Sequence, residues 1–171
     1  STRGRHAAIW ARGFRNAFSF DIHPRTGRVL VNDVGGSRAE EVDQVRRGDN
    51  LGWPMAEGPV RQPPIVDPLY SYTHEHGCAI TGGVFYAPAH PSFPAAWRDG
   101  YFFADYCANE IRWLSPGAPV RMVSFGRTRV PGPVDLRVAP DGALWYLARG
   151  NSVPTGGAGT GWGLLVRVTP E

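Results

Sequence analysis

One local pattern occurs three times along the chain: an alternating apolar and polar run, a turn that ends in glycine, and a second alternating run. The three copies span residues 18–32, 83–106 and 134–147. Their turns are Thr26-Gly27, Asp99-Gly100 and Asp141-Gly142. Apolar residues at every second position, joined by a short glycine turn, are typical of β-hairpins. The pattern therefore predicts an all-β chain built from repeated hairpins.

Each hairpin is followed by a candidate for a third strand. These candidates are residues 41–45, 111–114 and 164–168. A hairpin plus a further strand, repeated every several tens of residues, is typical of a β-propeller blade of about 40–45 residues. Propellers have about four to eight blades, whereas a chain of this length holds about three or four. We therefore expect an incomplete ring, unless the blades are unusually short or two chains complete each other.

The composition agrees with this reading and excludes two other classes. Glycine and proline are frequent, with 22 and 16 residues, which favours short strands and turns over a helix bundle. No apolar run approaches the ~18 residues of a membrane span, so we expect none. All 18 basic residues are arginines, dispersed among 15 acidic residues. We expect no nucleic-acid partner, because such partners require a basic patch or stripe.

The chain has two cysteines, Cys78 and Cys107, and each follows a predicted turn beside an apolar run. If those runs are neighbouring strands, a disulfide is geometrically possible. Two buried free thiols are the alternative. A disulfide would place the protein in an oxidising compartment, and we accordingly expect it to be secreted or periplasmic.

Three polar segments are candidates for chemistry. Arg15-Asn16 presents forked donors beside an amide, which suits a planar ligand with carboxylates or carbonyls; a strand-entry pair that binds backbone carbonyls is the alternative. Residues 33–41 combine acids with Gly35-Gly36 and suit calcium, or they form a turn and a solvated acidic strand. His74-Glu75-His76 could bind a metal or act as a base, or form a hydrogen-bonded loop.

Several segments, in order and over nearly the whole chain, resemble the glucose/sorbosone dehydrogenase family. They are residues 13–16, 32–43, 49–54, 78–86, 101–107, 134–136 and 140–144. The family consists of soluble quinoprotein sugar dehydrogenases built as six-bladed propellers. The resemblance implies that residues 1–171 form a partial propeller domain of about three blades, half a ring, with blades near residues 17–70, 78–126 and 133–171.

The resemblance also implies a reaction and a pocket. The family oxidises the C1 hydroxyl of an aldose to a lactone, and hydride passes to pyrroloquinoline quinone (PQQ) held by calcium. Arg15 and Asn16 would line the quinone and sugar pocket, and His74 and His76 would lie near it. The expected partner is an aldose or oligosaccharide substrate.

Two calcium sites are implied in the same way. The backbone carbonyls of Gly35 and Gly36 would bind the calcium that holds the quinone. Glu41, together with the carbonyl of Leu51, would form a second, structural calcium site. PQQ and Ca²⁺ are thus the expected cofactors.

The chain departs from the family in its base and its cationic ligands. The family's histidine base lies in early blades, upstream of the matching segments. Better-known members place a lysine near Cys107 and arginines near Gly132 and Val134, and these cations are absent here. The first hypothesis is therefore part of a PQQ-type dehydrogenase, catalytic only with another propeller half or a second copy of the chain. The alternatives are a non-catalytic extracellular propeller that binds carbohydrate or protein, and a calcium-dependent lactonase-like propeller.

Overall fold

The computed structural model describes residues 7–150 and 163–170, and this part of the chain forms eleven β-strands and one 3₁₀ turn, Ala95–Trp97. The strands are β1 (Ala17–Ile22), β2 (Val29–Asp33), β3 (Ala39–Val45), β4 (Tyr70–Thr73), β5 (Ile80–Phe85), β6 (Tyr101–Asp105), β7 (Glu110–Leu114), β8 (Met122–Arg127), β9 (Pro133–Val138), β10 (Leu144–Ala148) and β11 (Leu164–Val168). Sheet 1 has the strand order β1-β2-β3-β4, sheet 2 has β5-β6-β7-β8, and sheet 3 has β9-β10-β11. All strand pairs are antiparallel. The predicted all-β class is confirmed.

The predicted hairpins form because their turn residues fit the required backbone. Gly27 and Gly142 have φ angles of 69° and 80°, a region that residues with a side chain rarely adopt. The sequence pattern does not predict β4 and β8, the fourth strands of sheets 1 and 2. β4 has only four residues, and β8 is mostly exposed, with little apolar alternation.

The three sheets pack face to face through their first strands. β1 contacts β5, and β5 contacts β9. One apolar cluster, which includes Leu30 and Phe103, lies between sheets 1 and 2, and a second, which includes Phe102 and Leu136, lies between sheets 2 and 3. Burial of these large side chains is the main stabilising contribution. A core that lies between successive sheets is the packing of a β-propeller, which confirms the predicted fold.

Buried polar contacts join each sheet to the next. The side-chain amide of Asn32 on β2 donates to the carbonyl of Thr81 on β5. The Thr81 hydroxyl donates to the carbonyl of Pro133 on β9, at 2.8 Å. Since both side chains are almost fully buried, these hydrogen bonds fix how the sheets lie against each other.

The half ring is open, and each of its two outer sheets leaves apolar side chains exposed. Phe20 and Ile22 on β1 are 63% and 50% exposed, and Leu165 on β11 is 66% exposed. Leu165 pairs with Leu147 of β10, which is also exposed. Nowhere in residues 7–150 and 163–170 is there a helix long and apolar enough to cross a membrane. Residues 151–162 and 171 of the expected third blade lie outside the described residues.

Candidate functional site

The candidate site lies at one end of the sheets, which we call the upper end. There β1 begins, β2 ends and β5 begins. Three register pairs define it: Ala17 with Asp33, Ala39 with Thr73, and Ile80 with Asp105. The loops 34–38 and 74–79 therefore meet at the upper end, and polar residues far apart in the sequence come together.

Arg15 and Asn16 enter this end just before β1. Their backbone N–H groups donate to the two carboxylate oxygens of Asp33, at 2.8 and 2.6 Å. The Arg15 side chain donates to the carbonyl of Val34 at 3.0 Å and lies over the Trp53 ring, 5.6 Å from its centroid. Both predicted side chains are exposed. Asp33 thus fixes the backbone of this pair, while both side chains lie at the surface of the upper end.

The Gly35-Gly36 loop is organised by Glu57, which the sequence analysis does not identify. One carboxylate oxygen of Glu57 accepts the N–H groups of Gly36, Ser37, Arg38 and Ala39, at 2.8 to 3.2 Å. Desolvation alone would raise the pKa of Glu57, but the four donors outweigh it and lower the pKa to about 2. A Cβ at Gly35 would collide with the carbonyl of Ala39, so only glycine fits there.

Three buried carboxylates converge below this loop. Asp33 lies opposite Glu41 in the register of β2 and β3, and Asp43 follows on the same face of β3. One ligand atom from each lies within 4.8 Å of the others. The N–H of Gly58 donates to Glu41, whereas neither oxygen of Asp43 has a hydrogen-bond partner in the described part of the chain.

Burial governs the protonation of this cluster. Desolvation raises the pKa of Glu41 to about 7, and desolvation together with Glu41 and Asp33 raises the pKa of Asp43 to about 8. Desolvation also raises the pKa of Asp33. A buried carboxylate without a partner is costly. The raised pKa values mean that this cluster holds protons at a higher pH than ordinary carboxylates do, and a bound cation would favour its ionisation.

A cavity of about 10 Å³ lies beside the cluster, room for a single water molecule or ion. Among its lining residues are Arg15, Asp33, Gly35, Glu41 and Glu57. Carboxylate and carbonyl oxygens around such a volume are the ligand set that calcium prefers. Gly35 and Glu41, which the resemblance assigns to two separate calcium sites, thus line one cavity.

Leu51 and Gly36, the other two residues expected at calcium, are placed differently. Leu51 is buried, and its N–H donates to the carbonyl of Arg12 at 2.9 Å. Neither residue is among those that line the small cavity. A Cβ at Gly36 would lie 2.9 Å from Nε of Arg15, so Gly36 borders the Arg15 side chain instead.

His74 is tied to the same loop through a buried acid. Its Nε2 lies 2.8 Å from Oε1 of Glu40, a side chain with no exposure. The other carboxylate oxygen of Glu40 accepts the N–H groups of Ile80, at 2.9 Å, and Gly35, at 3.3 Å. His74 is thereby held at the upper end in a fixed orientation.

His76 does not join His74. An extended backbone would project both rings to one side, but residues 74–76 form a turn instead. The ring of His76 meets the hydroxyl of Thr73, at 3.4 Å, and its carbonyl accepts a hydrogen bond from Arg112. His76 therefore lines a cleft between sheets 1 and 2 with Glu110 and Arg112, and the two histidines form no common metal site.

A disulfide closes the outer side of the upper end. Cys78 and Cys107 are bonded, with Cα atoms 5.5 Å apart. Asp105 accepts the N–H groups of Cys107, at 2.9 Å, and Ala108, at 2.8 Å, and the Tyr72 hydroxyl donates to its other oxygen at 2.6 Å. The sequence left open a disulfide or two free thiols, and the structure has the disulfide.

Sequence reasoning misses Glu57, Asp43, Glu40 and Asp105 as individual functional candidates. Asp105 and Asp43 lie in segments that resemble the family, and an acid at the end of a strand, as at Asp105, is a detectable signal. Glu57 has no such signal, because it lies in the long connection between β3 and β4 and acts on a loop about twenty residues earlier.

A family model matches most of the chain. The family model described as Glucose / Sorbosone dehydrogenase matches residues 1–153. The HIPL2 protein of Arabidopsis thaliana is 31% identical over 162 residues, which covers 79% of this chain and 23% of that protein. The chain thus spans about a quarter of the length of this curated relative.

Solved structures share the fold at lower identity. A crystal structure of a glucose dehydrogenase superposes with a TM-score of 0.78 at 21% identity, covering 100% of this chain and 51% of that one. The PQQ-bound form of aldose sugar dehydrogenase from Streptomyces coelicolor superposes with a TM-score of 0.67 at 18% identity, covering 92% of this chain and 44% of that one. These likenesses establish the fold over about half of each neighbour.

Proposed function

The chain belongs to the glucose/sorbosone dehydrogenase family, and from this premise we propose that it is part of a PQQ-dependent aldose dehydrogenase that oxidises the C1 hydroxyl of a sugar to a lactone. The observation that carries the proposal is the upper-end site, where Arg15, Gly35 and Glu41 line one ion-sized cavity beside the buried Asp43. A PQQ-bound aldose sugar dehydrogenase shares this fold.

Calcium is the first cofactor of the proposal, and the residues fit it. Asp43 is 1% exposed, and its carboxylate lacks a partner among the described residues, which a cation would supply. Asp33 and Glu41 would hold the ion from neighbouring strands, with the loop at Gly35 above them. Glu57 holds this loop through its four backbone N–H groups. The carbonyls of Gly36 and Leu51 remain proposed ligands from the resemblance.

PQQ is the second cofactor, and when bound it would accept the hydride from the sugar. The chain's contribution would be to bind and orient. Arg15 offers a forked donor for a carboxylate or quinone oxygen, and Asn16 offers an amide beside it. His74, fixed by Glu40, would line the same end of the sheets, and His76 would contribute from the neighbouring cleft.

A non-catalytic extracellular propeller that binds carbohydrate or protein is the second candidate. It is favoured by Cys107, which forms a disulfide with Cys78 near the position where better-known family members carry a cationic quinone ligand. A covalent cross-link there cannot replace a positive charge. The two candidates differ in one property, the binding of PQQ.

The proposal extends to assembly and location. We propose that residues 1–171 form a partial propeller domain, with blades near residues 17–70, 78–126 and 133–171. The exposed apolar side chains of β1 and β11 would pack against another propeller half or a second copy of the chain. The disulfide supports a secreted or periplasmic location, because disulfides persist in oxidising compartments.

Reconstitution with PQQ and calcium tests the proposed function. We expect the full chain to shift the quinone absorbance in the presence of calcium, and Arg15→Gln to weaken this binding about tenfold, the loss of one charge-assisted hydrogen bond. Arg38→Gln, an exposed arginine of the adjacent loop, is the matched control. Dye reduction with aldoses is expected once the ring is completed. Failure to bind micromolar PQQ would favour the non-catalytic candidate.

A further inference from the structure

A second cavity, about 610 Å³ in volume, lies at the lower end of sheets 1 and 2, opposite the carboxylate cluster. Its walls come from the β1–β2 turn, the residues that follow β3, Asp99 before β6 and Pro116 after β7. Four arginines line it: Arg25, Arg28, Arg46 and Arg47. We call it the arginine cavity.

The arginine cavity concentrates positive charge. Its lining holds four guanidinium groups and one carboxylate, that of Asp99, an excess of three positive charges. The whole chain has a formal net charge of +3, so one cavity carries as much excess charge as the entire molecule. His23 also lines it, but burial, followed by Arg25 and Arg28, lowers its pKa, and the ring adds no charge at neutral pH.

Two of the arginines are anchored. Arg25 pairs with Asp99, and Nε of Arg28 donates to the side chain of Gln44 at 2.8 Å. Arg28 also donates to the carbonyl of Pro116, at 3.5 Å. These contacts hold both guanidinium groups in the wall of the cavity. They use only some of the five N–H donors that each guanidinium has.

The other two arginines lack such anchoring contacts in the described part of the chain. Arg46 and Arg47 are exposed, and their side chains make no hydrogen bond or ion pair with any residue that the structure describes. The guanidinium of Arg47 lies over the Trp10 ring, 5.8 Å from its centroid. Asp49, an acid outside the lining, accepts the backbone N–H of Arg46 at 2.7 Å.

We propose that the arginine cavity binds the oxyanion groups of an acidic polysaccharide, with Arg46 and Arg47 as the principal donors and Arg25 and Arg28 as fixed support. A guanidinium matches a carboxylate or sulfate with two parallel hydrogen bonds. Uronate and sulfate groups on a polysaccharide share this chemistry, and both are recognised in the same way.

A polysaccharide fits the surroundings better than a nucleic acid does. The four arginines form one compact cavity and not the stripe that follows a phosphate backbone. The disulfide also indicates an oxidising compartment, where the accessible polyanions include acidic polysaccharides. The inference does not rest on the proposed dehydrogenase activity, because the cavity lies at the opposite end of the sheets.

Binding of an oligogalacturonate to the full chain, measured by calorimetry at two salt concentrations, tests the inference. We expect binding that weakens with salt, and a loss of about tenfold or more in Arg46→Gln/Arg47→Gln, since each charge-assisted contact contributes up to about a factor of ten. Arg129→Gln/Arg149→Gln removes the same charge from exposed arginines near sheet 3 and should bind as the wild type does. A neutral dextran should not bind.

Further arms identify the source of the oxyanion. A sulfated dextran should compete with the oligogalacturonate, whereas inorganic phosphate alone should bind far more weakly. Equal binding by the wild type and Arg46→Gln/Arg47→Gln would overturn the inference. So would tighter binding of a single-stranded oligonucleotide of equal charge, or phosphate binding as tight as that of the oligomer. Arg47→Gln alone should keep the thermal unfolding midpoint of the wild type. Its affinity for the oligogalacturonate should lie between those of the wild type and the double variant.

Discussion

Carboxylates of the same type behave in opposite ways at the upper end because their neighbours differ. Glu57 accepts four backbone N–H groups, and its pKa falls to about 2. Glu41 accepts one and lies among other acids, and its pKa rises to about 7. Donors stabilise the charged form of a carboxylate, whereas desolvation and like charges destabilise it. Glu57 is therefore a structural anion, while Glu41 and Asp43 hold their protons more tightly than ordinary carboxylates do.

The first prediction concerns calcium. Calcium at a hundredfold excess over its Kd should raise the free energy of unfolding of the wild type by about 2.7 kcal/mol. The thermal unfolding midpoint should rise accordingly, and chelation should reverse this. Glu41→Gln should lose the effect. Asp43→Asn should also lose it, and it should remove the part of the pH dependence of the metal-free chain that comes from Asp43. Glu75→Gln, an exposed acid in a nearby loop, is the control.

The pH dependence follows from the same groups. Because the pKa values of Glu41 and Asp43 are raised on folding, the folded chain binds more protons than the unfolded chain. The metal-free protein should therefore lose stability as the pH rises from about 4 through about 8, the range between unfolded and folded values. Chemical denaturation at several pH values checks this. A stability that rises over that range in metal-free buffer, and is unchanged by Asp43→Asn, would contradict the assignment.

The second prediction concerns Glu57. Glu57→Gln keeps the shape but loses the charge that four N–H groups bind, and it should destabilise the fold by about 1–3 kcal/mol. Since the pKa of Glu57 is lowered on folding, its stabilisation is present above its unfolded pKa of about 4.5 and is lost as the pH falls towards about 2. The difference between wild type and variant should shrink in acid. A difference that persists undiminished there would mean that the charge is not responsible.

At the scale of elements, the disulfide joins the start of sheet 2 to the turn between β6 and β7. Cys78 and Cys107 are 29 positions apart in the sequence, and Asp105 holds both cysteine turns through backbone N–H groups. The covalent bond and the carboxylate therefore act on the same two loops. The Tyr72 hydroxyl of β4 donates to the same Asp105 and so links sheet 1 to these loops.

The third prediction follows from this element. Cys78→Ser/Cys107→Ser should lower the free energy of unfolding by about 3–4 kcal/mol, the value expected for closing a segment of this length. The measurement is denaturant unfolding with and without a reductant. The wild type should lose the same amount on reduction, and the double variant should not respond to it. A variant as stable as the oxidised wild type would show that the cross-link adds nothing to the fold.

At the scale of the whole molecule, the arc of three sheets ends in two exposed apolar faces, one aromatic and aliphatic, the other made of leucines. Sheet 1 exposes Phe20 and Ile22, and sheet 3 exposes Leu147 and Leu165. A groove on the sheet 1 side, lined by Phe14, Phe20, Val31 and other apolar residues, has a volume of about 520 Å³. Apolar surface of this kind favours association.

The fourth prediction is concentration-dependent self-association. Sedimentation of the full chain should show dimers, and Phe20→Glu should shift the equilibrium to monomers by introducing a charge at the centre of the face. Val123→Glu, on the exposed outer strand β8, is the control and should associate as the wild type does. A monomeric wild type at all concentrations would exclude a second copy as the partner and leave a separate propeller half.

The local sequence determined the hairpins and most of the strands, though not β4 and β8, because a period of two and a glycine turn act over a few residues. Residues 18–32 and 134–147 form the predicted hairpins, and the family resemblance is confirmed. The positions of Cys78 and Cys107, in turns beside apolar runs, made a disulfide possible, and the structure has it. Only the tertiary structure decided which side chains meet. It brought Glu57 onto the Gly35 loop, separated His76 from His74, and gathered four arginines that are dispersed in sequence. Such contacts depend on the path of the whole chain, and no local period records that path.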